Sequence, residues 1–257
     1  MTSTRFFNLV AFSVAITVGS MTAKEAPPNI IYIMLDEWGY FESSAMEHRI
    51  LDTPNMDRIG DEGIRFTQFL AGANVCSPTR NGLMTGQHSG HTTVRGNRGT
   101  APIRDEDLTL AEMLKPAGYI SGGFGKWGPG DVGTSGVPER HGFDEFFGSE
   151  NTRIHYLIHN QDAIDAFDAA RAKNPEPSNS WGMGPFRDGE KEVDMEGMST
   201  EIFGDKARDF INRHQEKPFF LYLSFNAVHN FTHQLPQEYL DKHGLEDYGD
   251  WDPAAEP

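Results

Sequence analysis

The sequence is poor in cysteine and in positive charge. The first shortage excludes a disulfide within the chain, and the second limits the partners that the protein can bind. The 257 residues include a single cysteine, which has no second thiol in the chain to pair with. Lysine and arginine number 22 against 38 aspartates and glutamates, so the formal net charge is −16. This excess of negative charge argues against nucleic acids and anionic membrane surfaces as partners. An anionic substrate would need a pocket that is locally positive.

The first 23 residues have the pattern of an export signal. Arg5 precedes an uncharged run from residue 6 to residue 23, and small residues near its end suit a signal peptidase. A membrane anchor is the alternative, because the run is just long enough to span a bilayer, but its polar residues favour cleavage. No cysteine stands directly after the run, which excludes a lipoprotein anchor. We expect residues 1–23 to be a signal peptide and the protein to be periplasmic or secreted.

Strands alternate with helices along the rest of the chain, and no internal repeat is present. Hydrophobic residues make up 37% of the sequence, which is enough for a substantial core. The pattern predicts an α/β fold with a largely parallel central sheet flanked by helices. The predicted strands are 30–35 (buried on both faces), 64–70, 119–126 and 218–225; the predicted helices are 53–63, 77–86, 105–118 and 200–215. Residues 150–195, which lack periodicity, are predicted to be a surface insertion.

Polar residues follow three of the predicted strands at the point where each strand ends. Asp36 and Glu37 follow the first strand, Lys126 ends the third, and residues 226–229 follow the last. In open α/β sheets, ligands bind at the carboxyl ends of the strands. We therefore expect these side chains to share one site.

The single cysteine, Cys76, lies at a predicted helix start. Ser77 is a good N-cap and Pro78 suits the first turn. Backbone N–H groups at a helix N-terminus favour negative charge, and Arg80 is one turn further along, where its guanidinium can lean back over Cys76. This arrangement is typical of an oxyanion site. A buried structural cysteine and a redox thiol of low pKa are the alternatives.

The pattern Cys-x-Pro-x-Arg from Cys76 to Arg80 resembles the signature of the sulfatase family, in which the cysteine is oxidised to Cα-formylglycine. The segments "TPNMDRIGDEGIRFTQFL", "GKWG", "HGFDEFFG" and "PFFLYLSFNAVH" also occur in the family's order. The resemblance implies an alkaline-phosphatase-like sulfatase fold, with residues 27–257 as the N-terminal portion of a catalytic domain truncated on its C-terminal side. It also implies a formylglycine-generating enzyme as the partner during maturation. The cysteine would then be a precursor and not a thiol in the mature enzyme.

The resemblance further implies a role for each site residue. Asp36, Glu37 and residue 76 would bind one calcium ion, with Glu37 standing where many sulfatases have aspartate. Cys76, as hydrated formylglycine, and Arg80, Lys126 and His229 would be catalytic: a hydroxyl at residue 76 attacks sulfur, Lys126 binds sulfate oxygens, and His229 protonates the leaving oxygen. The implied reaction is hydrolysis of sulfate esters, arylsulfatase-like, with sulfated glycans among the candidate substrates. The alternatives are a phosphonate or phosphodiester hydrolase of the same superfamily and a non-catalytic binder of sulfated ligands.

Two departures from the family pattern lead to further expectations. Gly128 stands where many sulfatases have a histidine that steadies the formylglycine, and His88 or His91 is a candidate replacement. The family's Asp-Asn metal pair and second lysine come from later sequence, and this chain offers no such pair in a suitable place. We therefore expect the 257-residue chain alone to bind calcium weakly, to aggregate and to show no sulfatase turnover.

Overall fold

The computed structural model of the protein describes residues 26–46, 51–97, 101–149, 157–158, 186–193, 197–229 and 235–244. Its strands are β1 (Ile30–Met34), β2 (Ile120–Lys126), β3 (Glu145–Ser149), β4 (Leu157–Ile158), β5 (Phe186–Asp188), β6 (Lys191–Val193), β7 (Gly197–Met198) and β8 (Phe219–Ser224). Six of them form one sheet in the order β1-β8-β2-β3-β5-β6, and β4 pairs with β7. The pairs among β1, β8, β2 and β3 are parallel, whereas β5 and β6 add antiparallel. The predicted α/β sheet, largely parallel, is confirmed.

Helices cover both faces of this sheet. The described helices are α1 (Pro54–Glu62), α2 (Cys76–Thr85), α3 (Leu110–Leu114), α4 (Ser199–His214) and α5 (Gln237–His243), of which α4 packs on one face and α2 and α3 on the other. Successive residues of a strand point to opposite faces, and β8 shows this directly. Phe219 and Leu221 pack with Phe210 of α4, whereas Phe220 and Tyr222 pack in a second cluster with Met84 of α2. Each face of the sheet therefore has its own apolar core.

Most predicted helix ends agree with the structure. Helix α1 starts at Pro54 after Thr53 and stops before Gly63, as the sequence predicts. Helix α3 is shorter than predicted because Thr109 caps it: the Thr109 side chain accepts from the Glu112 N–H, and the Glu112 side chain bonds back to Thr109. This capping box fixes the start of the helix at residue 110, so residues 105–108 lie outside it.

The prediction that β1 is buried on both faces is wrong. Ile31 and Ile33 are 49% and 51% exposed, whereas Tyr32 between them is partly buried against the second core. β1 lies at the edge of the six-stranded sheet and has β8 as its neighbour. A run of apolar residues shows that a strand is hydrophobic, but it does not show whether both faces are covered.

The prediction of a strand at residues 64–70 is also wrong. The segment is irregular and exposed throughout. A strand requires a neighbour to satisfy its backbone N–H and C=O groups, and no strand within the described ranges pairs with this segment. The pattern of apolar residues indicated the local preference of the segment and could not supply a neighbouring strand.

The predicted surface insertion at residues 150–195 contains the described strands β5 and β6, whose residues are mostly exposed or partly exposed. β5 pairs with β3, and β6 folds back on β5, so this hairpin extends the central sheet. Most of the insertion, and the whole predicted signal peptide, lie outside the described residues. No helix in the described part of the chain is long and apolar enough to cross a membrane.

Candidate active site

The carboxyl ends of β1, β2 and β8 meet at one edge of the sheet, as the sequence predicts. They carry Asp36, Lys126 and the segment 226–229 to the same place. The approach of β2 to β8 depends on Gly125, whose φ is +112° and whose hypothetical Cβ would lie 1.8 Å from the carbonyl oxygen of Ser224. Glycine therefore allows the close strand contact that precedes Lys126.

Helix α2 begins one residue earlier than predicted, at Cys76. Val75 is the N-cap residue in an extended conformation, and no side chain caps the helix there. The predicted cap, Ser77, is buried inside the first turn, where its backbone N–H donates to the Asn97 Oδ1 at 3.0 Å. Cys76 therefore lies within the first turn of α2, beside N–H groups that favour a negative charge.

The guanidinium of Arg80 is fully buried and connects the helix to the strand ends. Its Nη1 donates to the Lys126 carbonyl oxygen at 2.7 Å, to the Tyr222 hydroxyl at 3.2 Å and to the Ser224 hydroxyl. Its Nη2 donates to the Asp36 Oδ1 at 3.3 Å. These hydrogen bonds hold the guanidinium against Asp36, and the described hydrogen bonds of Arg80 do not include the expected contact with Cys76.

Asp36 is held at this site through both its backbone and its carboxylate. Its backbone extends the pairing between β1 and β8, because its N–H donates to the Ala227 carbonyl and its carbonyl accepts from the Val228 N–H, both at 2.9 Å. Its carboxylate accepts from the Lys126 Nζ at 2.5 Å. Burial raises the pKa of this carboxyl, but the charges of Arg80 and Lys126 outweigh burial and hold the pKa below its usual value.

Glu37 and His229 form a second pair, next to the ion pair of Asp36 and Lys126. Glu37 has a φ of +60°, an uncommon backbone conformation for a residue other than glycine, and its Oε1 lies 3.1 Å from the Nε2 of His229. The His229 side chain is buried, and the Glu37 side chain is partly exposed. Strained backbone of this kind is concentrated at functional sites, where the surrounding structure maintains it.

Cys76, Asp36 and His229 converge. One ligand atom from each lies within 4.8 Å of the other two. Burial raises the pKa of the Cys76 thiol, but a hydrogen bond from His229 and the charge of Lys126 outweigh burial, so the pKa is lowered. The first turn of α2 thus faces a cluster that stabilises negative charge at residue 76.

The donor atoms at this cluster fit part of the shell of a hard divalent cation. Asp36 and Glu37 offer carboxylate oxygens, the ligands that calcium prefers, and residue 76 would add an oxygen after conversion. Calcium takes about six to eight oxygens, more than these three residues supply. Asp36 is also engaged by Lys126 and Arg80, so a cation would share its carboxylate with two resident positive charges.

His88 and His91 are the candidate replacements for the side chain that Gly128 lacks. Both are exposed, and their rings lie 6.2 Å apart beyond the C-terminal end of α2. The described contacts of these two rings do not include Cys76 or the residues around it. The described contacts therefore give no support to the hypothesis of a substituting histidine in this segment.

The structure adds a residue that the sequence analysis missed. The Nδ2 of Asn97 lies 3.7 Å from the Sγ of Cys76, while its Oδ1 accepts from the Ser77 N–H. Asn97 follows Cys76 by 21 residues in a segment without regular secondary structure, so no periodicity or spacing pointed to it. Tyr222 and Ser224, which bond to Arg80, were similarly concealed within an apolar strand.

Comparison with known proteins identifies the family of this chain. The sequence matches the Sulfatase family over residues 28–252. It is 32% identical over 219 residues to an N-acetylgalactosamine-6-sulfatase of Canis lupus familiaris, an alignment that covers 79% of this chain and 40% of the relative. The chain thus spans well under two thirds of the length of that relative.

Solved structures share the fold. The crystal structure of Ps i-CgsB superposes with a TM-score of 0.72 at 25% identity, covering 90% of this chain and 49% of that one. The structure of BT4656 in complex with its substrate D-glucosamine-2-N,6-O-disulfate superposes with a TM-score of 0.58 at 27% identity, covering 79% and 35%. The sheet with its helices is that of the alkaline-phosphatase-like sulfatases, and the chain belongs to the sulfatase family.

Proposed function

We propose that the protein hydrolyses sulfate esters by means of a formylglycine made from Cys76 and one calcium ion held by Asp36, Glu37 and residue 76. The observation that carries this proposal is the convergence of Cys76, Asp36 and His229 within 4.8 Å at a helix N-terminus. Formylglycine would supply a covalent nucleophile, and calcium a positive charge that polarises sulfate oxygens. The other residues bind, orient or transfer protons.

Lys126 and Arg80 give this site the local positive charge that an anionic ester requires in a chain of net charge −16. The Lys126 ammonium is a compact donor with three N–H groups, of which one is directed to Asp36. The others can bind sulfate oxygens as a point charge. Arg80 is already bonded to three side chains and one carbonyl, so its role is to fix Asp36 and the end of β2.

His229 is the group that can transfer a proton. Its ring is buried, its Nε2 lies 3.1 Å from the Glu37 Oε1, and it hydrogen-bonds to residue 76. A carboxylate that holds an imidazole stabilises the protonated ring and orients it. The protonated ring can then donate to the departing ester oxygen, which is the task of a general acid.

The substrate class that we propose is a sulfated sugar. Proteins similar to this chain include an N-acetylgalactosamine-6-sulfatase and a protein solved with a sulfated glucosamine. We also propose that the chain is exported after cleavage of residues 1–23, and that a formylglycine-generating enzyme converts Cys76. Conversion removes the sulfur, which explains how an exported protein carries one cysteine and no partner for it.

Mass spectrometry of the Cys76 peptide, from full-length protein made in its native host, tests conversion, and an aryl sulfate assay tests turnover. We expect aldehyde in place of thiol and hydrolysis that Cys76→Ala abolishes. His88→Ala, in an exposed segment away from the cluster, is the matched control and should leave turnover unchanged. Active enzyme with a uniformly unmodified thiol would refute the formylglycine mechanism. Faster turnover of phosphonate or phosphodiester substrates would refute the assignment to sulfate.

A further inference from the structure

We propose that Asn97 is a positioning residue that orients the reactive group at residue 76. Its amide spans two groups at the start of α2: Oδ1 accepts from the Ser77 N–H at 3.0 Å, and Nδ2 lies 3.7 Å from the Cys76 Sγ. The sulfur atom stands here for the oxygen that would replace it after conversion. The catalytic part of this inference rests on the proposed function, whereas the contact itself does not.

The backbone fixes which end of the amide faces residue 76. An N–H group such as that of Ser77 can only donate, so the amide atom opposite it must be the oxygen. The NH₂ group is then directed to residue 76, where it can donate and cannot accept. Asn97 therefore stabilises an oxygen atom at residue 76 and cannot remove a proton from it.

The segment that carries Asn97 is anchored along the helix. The buried side chain of Asn81 donates to the Thr92 Oγ1, which also accepts from the Val94 N–H at 3.2 Å. The Thr92 carbonyl accepts from the Arg95 Nε at 2.9 Å. These bonds hold the chain as it returns from the C-terminal end of α2 toward the start of that helix. The position of Asn97 is therefore fixed by hydrogen bonds that include buried ones.

The neighbouring turn provides no side chain for the same task. Gly128 has a φ of +105°, and a Cβ there would lie 3.0 Å from the Arg80 Cδ and 3.4 Å from the Ser77 Cα. The backbone of this turn packs closely on the first turn of α2, and its positive φ favours glycine at residue 128. The amide donor to residue 76 is instead Asn97, which lies in the irregular segment that follows α2 and returns to the start of that helix.

Two substitutions separate the two roles of Asn97, which are to accept from the Ser77 N–H and to donate to residue 76. Asn97→Asp keeps an oxygen for the Ser77 N–H and removes the donor to residue 76. Asn97→Ala removes both. We expect Asn97→Asp to retain the Tm of the parent chain within about 2 °C, since a carboxylate is favourable at a helix N-terminus. We expect Asn97→Ala to lower the Tm by several degrees, as loss of a partner for a buried N–H does.

NMR spectroscopy of the Asn97 side-chain amide tests its contact with residue 76. In the full 257-residue chain labelled with ¹⁵N-asparagine, Cys76→Ala should shift the Asn97 NH₂ resonances, whereas the control His88→Ala should not. In full-length converted enzyme, Asn97→Asp and Asn97→Ala should both lower kcat by about tenfold or more with KM within about twofold, because the change acts on the orientation of the nucleophile.

Two results would overturn the proposal. Asn97 amide resonances that ignore Cys76→Ala would show that there is no contact. A kcat for Asn97→Asp equal to that of the parent would show that Asn97 acts only as an anchor for α2. Failure of the proposed function is recognised separately: an enzyme without formylglycine or turnover would still give the resonance shift and the difference in Tm between the two variants.

Discussion

The ammonium of Lys126 lies 2.5 Å from the carboxylate of Asp36, and both side chains are buried. The two residues come from the ends of β1 and β2, which are separated in the sheet by β8. The ion pair therefore joins two strands that share no backbone hydrogen bonds. Arg80, bonded to the same carboxylate from α2, ties the helix to this junction.

Loss of one partner should destabilise the fold more than loss of both. Asp36→Asn leaves the Lys126 ammonium buried without its carboxylate, which we expect to lower the free energy of unfolding by about 3–5 kcal/mol. The double variant with Lys126→Met should recover part of that loss. Urea denaturation measures both.

The matched control for this experiment is an exposed ion pair. Arg213 and Glu145 form a bidentate contact at the surface, and Arg213→Met should cost about 1 kcal/mol or less. If Asp36→Asn cost no more than this control, the Asp36–Lys126 pair would not be desolvated as the structure describes.

Calcium should stabilise this chain weakly through Asp36. Two carboxylates and residue 76 supply fewer oxygens than calcium takes, and Lys126 and Arg80 compete for the Asp36 carboxylate. We expect millimolar calcium to raise the Tm slightly, EDTA to reverse the effect, and Asp36→Asn to abolish it. Asp61→Asn, at an exposed position of α1, is the control and should preserve the response. An equal response in both variants would locate the cation elsewhere.

Asp107 should make the free energy of unfolding depend on pH in the acid range. Hydrogen bonds from Arg104, and then from Gln87 two residues after the end of α2, lower the pKa of Asp107 from 3.8 to about 2. A carboxyl whose pKa is lowered by folding stabilises the protein above its unfolded pKa, and that contribution is lost as the pH falls from about 4 to about 2. Asp107→Asn should therefore cost about 1–2 kcal/mol at pH 7 and little at pH 2. A cost independent of pH would contradict the ionised pairing.

His229→Ala should distinguish proton donation from binding in the full-length enzyme. A general acid matters most when the departing oxygen is basic. The variant should therefore lose much more activity on alkyl or sugar sulfates than on activated aryl sulfates. A loss of the same size on both substrates would leave His229 as a binding residue held by Glu37.

The sequence predicts the position of the site better than its internal contacts. Parallel strands bring their carboxyl ends together, so the polar residues that end β1, β2 and β8 had to meet. The partners of Arg80 could not be predicted in the same way, because Tyr222 and Ser224 read as members of an apolar strand. Asn97 reaches Cys76 through a turn anchored by a buried side-chain contact, and such contacts leave no periodic pattern.

The strands that were predicted wrongly show a different limit. β1 and residues 64–70 are both rich in apolar residues, yet the first has a strand beside it and the second has none among the described residues. The hydrophobicity of a segment indicates that its burial would be favourable. It does not identify the element that packs against the segment, because that element depends on residues distant in the sequence.

The exposed apolar segment at residues 64–70 should govern association of this chain in solution. Phe66, Phe69 and Leu70 are 70%, 73% and 88% exposed, and the two phenylalanine rings lie 5.9 Å apart. Contiguous apolar surface of this kind promotes aggregation. Replacing the three residues by serine should reduce light scattering and the fluorescence of a hydrophobic dye, while the free energy of unfolding changes by about 0.5 kcal/mol or less for each substitution. Phe203→Ser, at a fully buried position of α4, is the contrasting variant and should cost at least about 3 kcal/mol. A comparable loss of stability from Phe66→Ser would show that this segment packs against the fold, and the aggregation would then need a different surface.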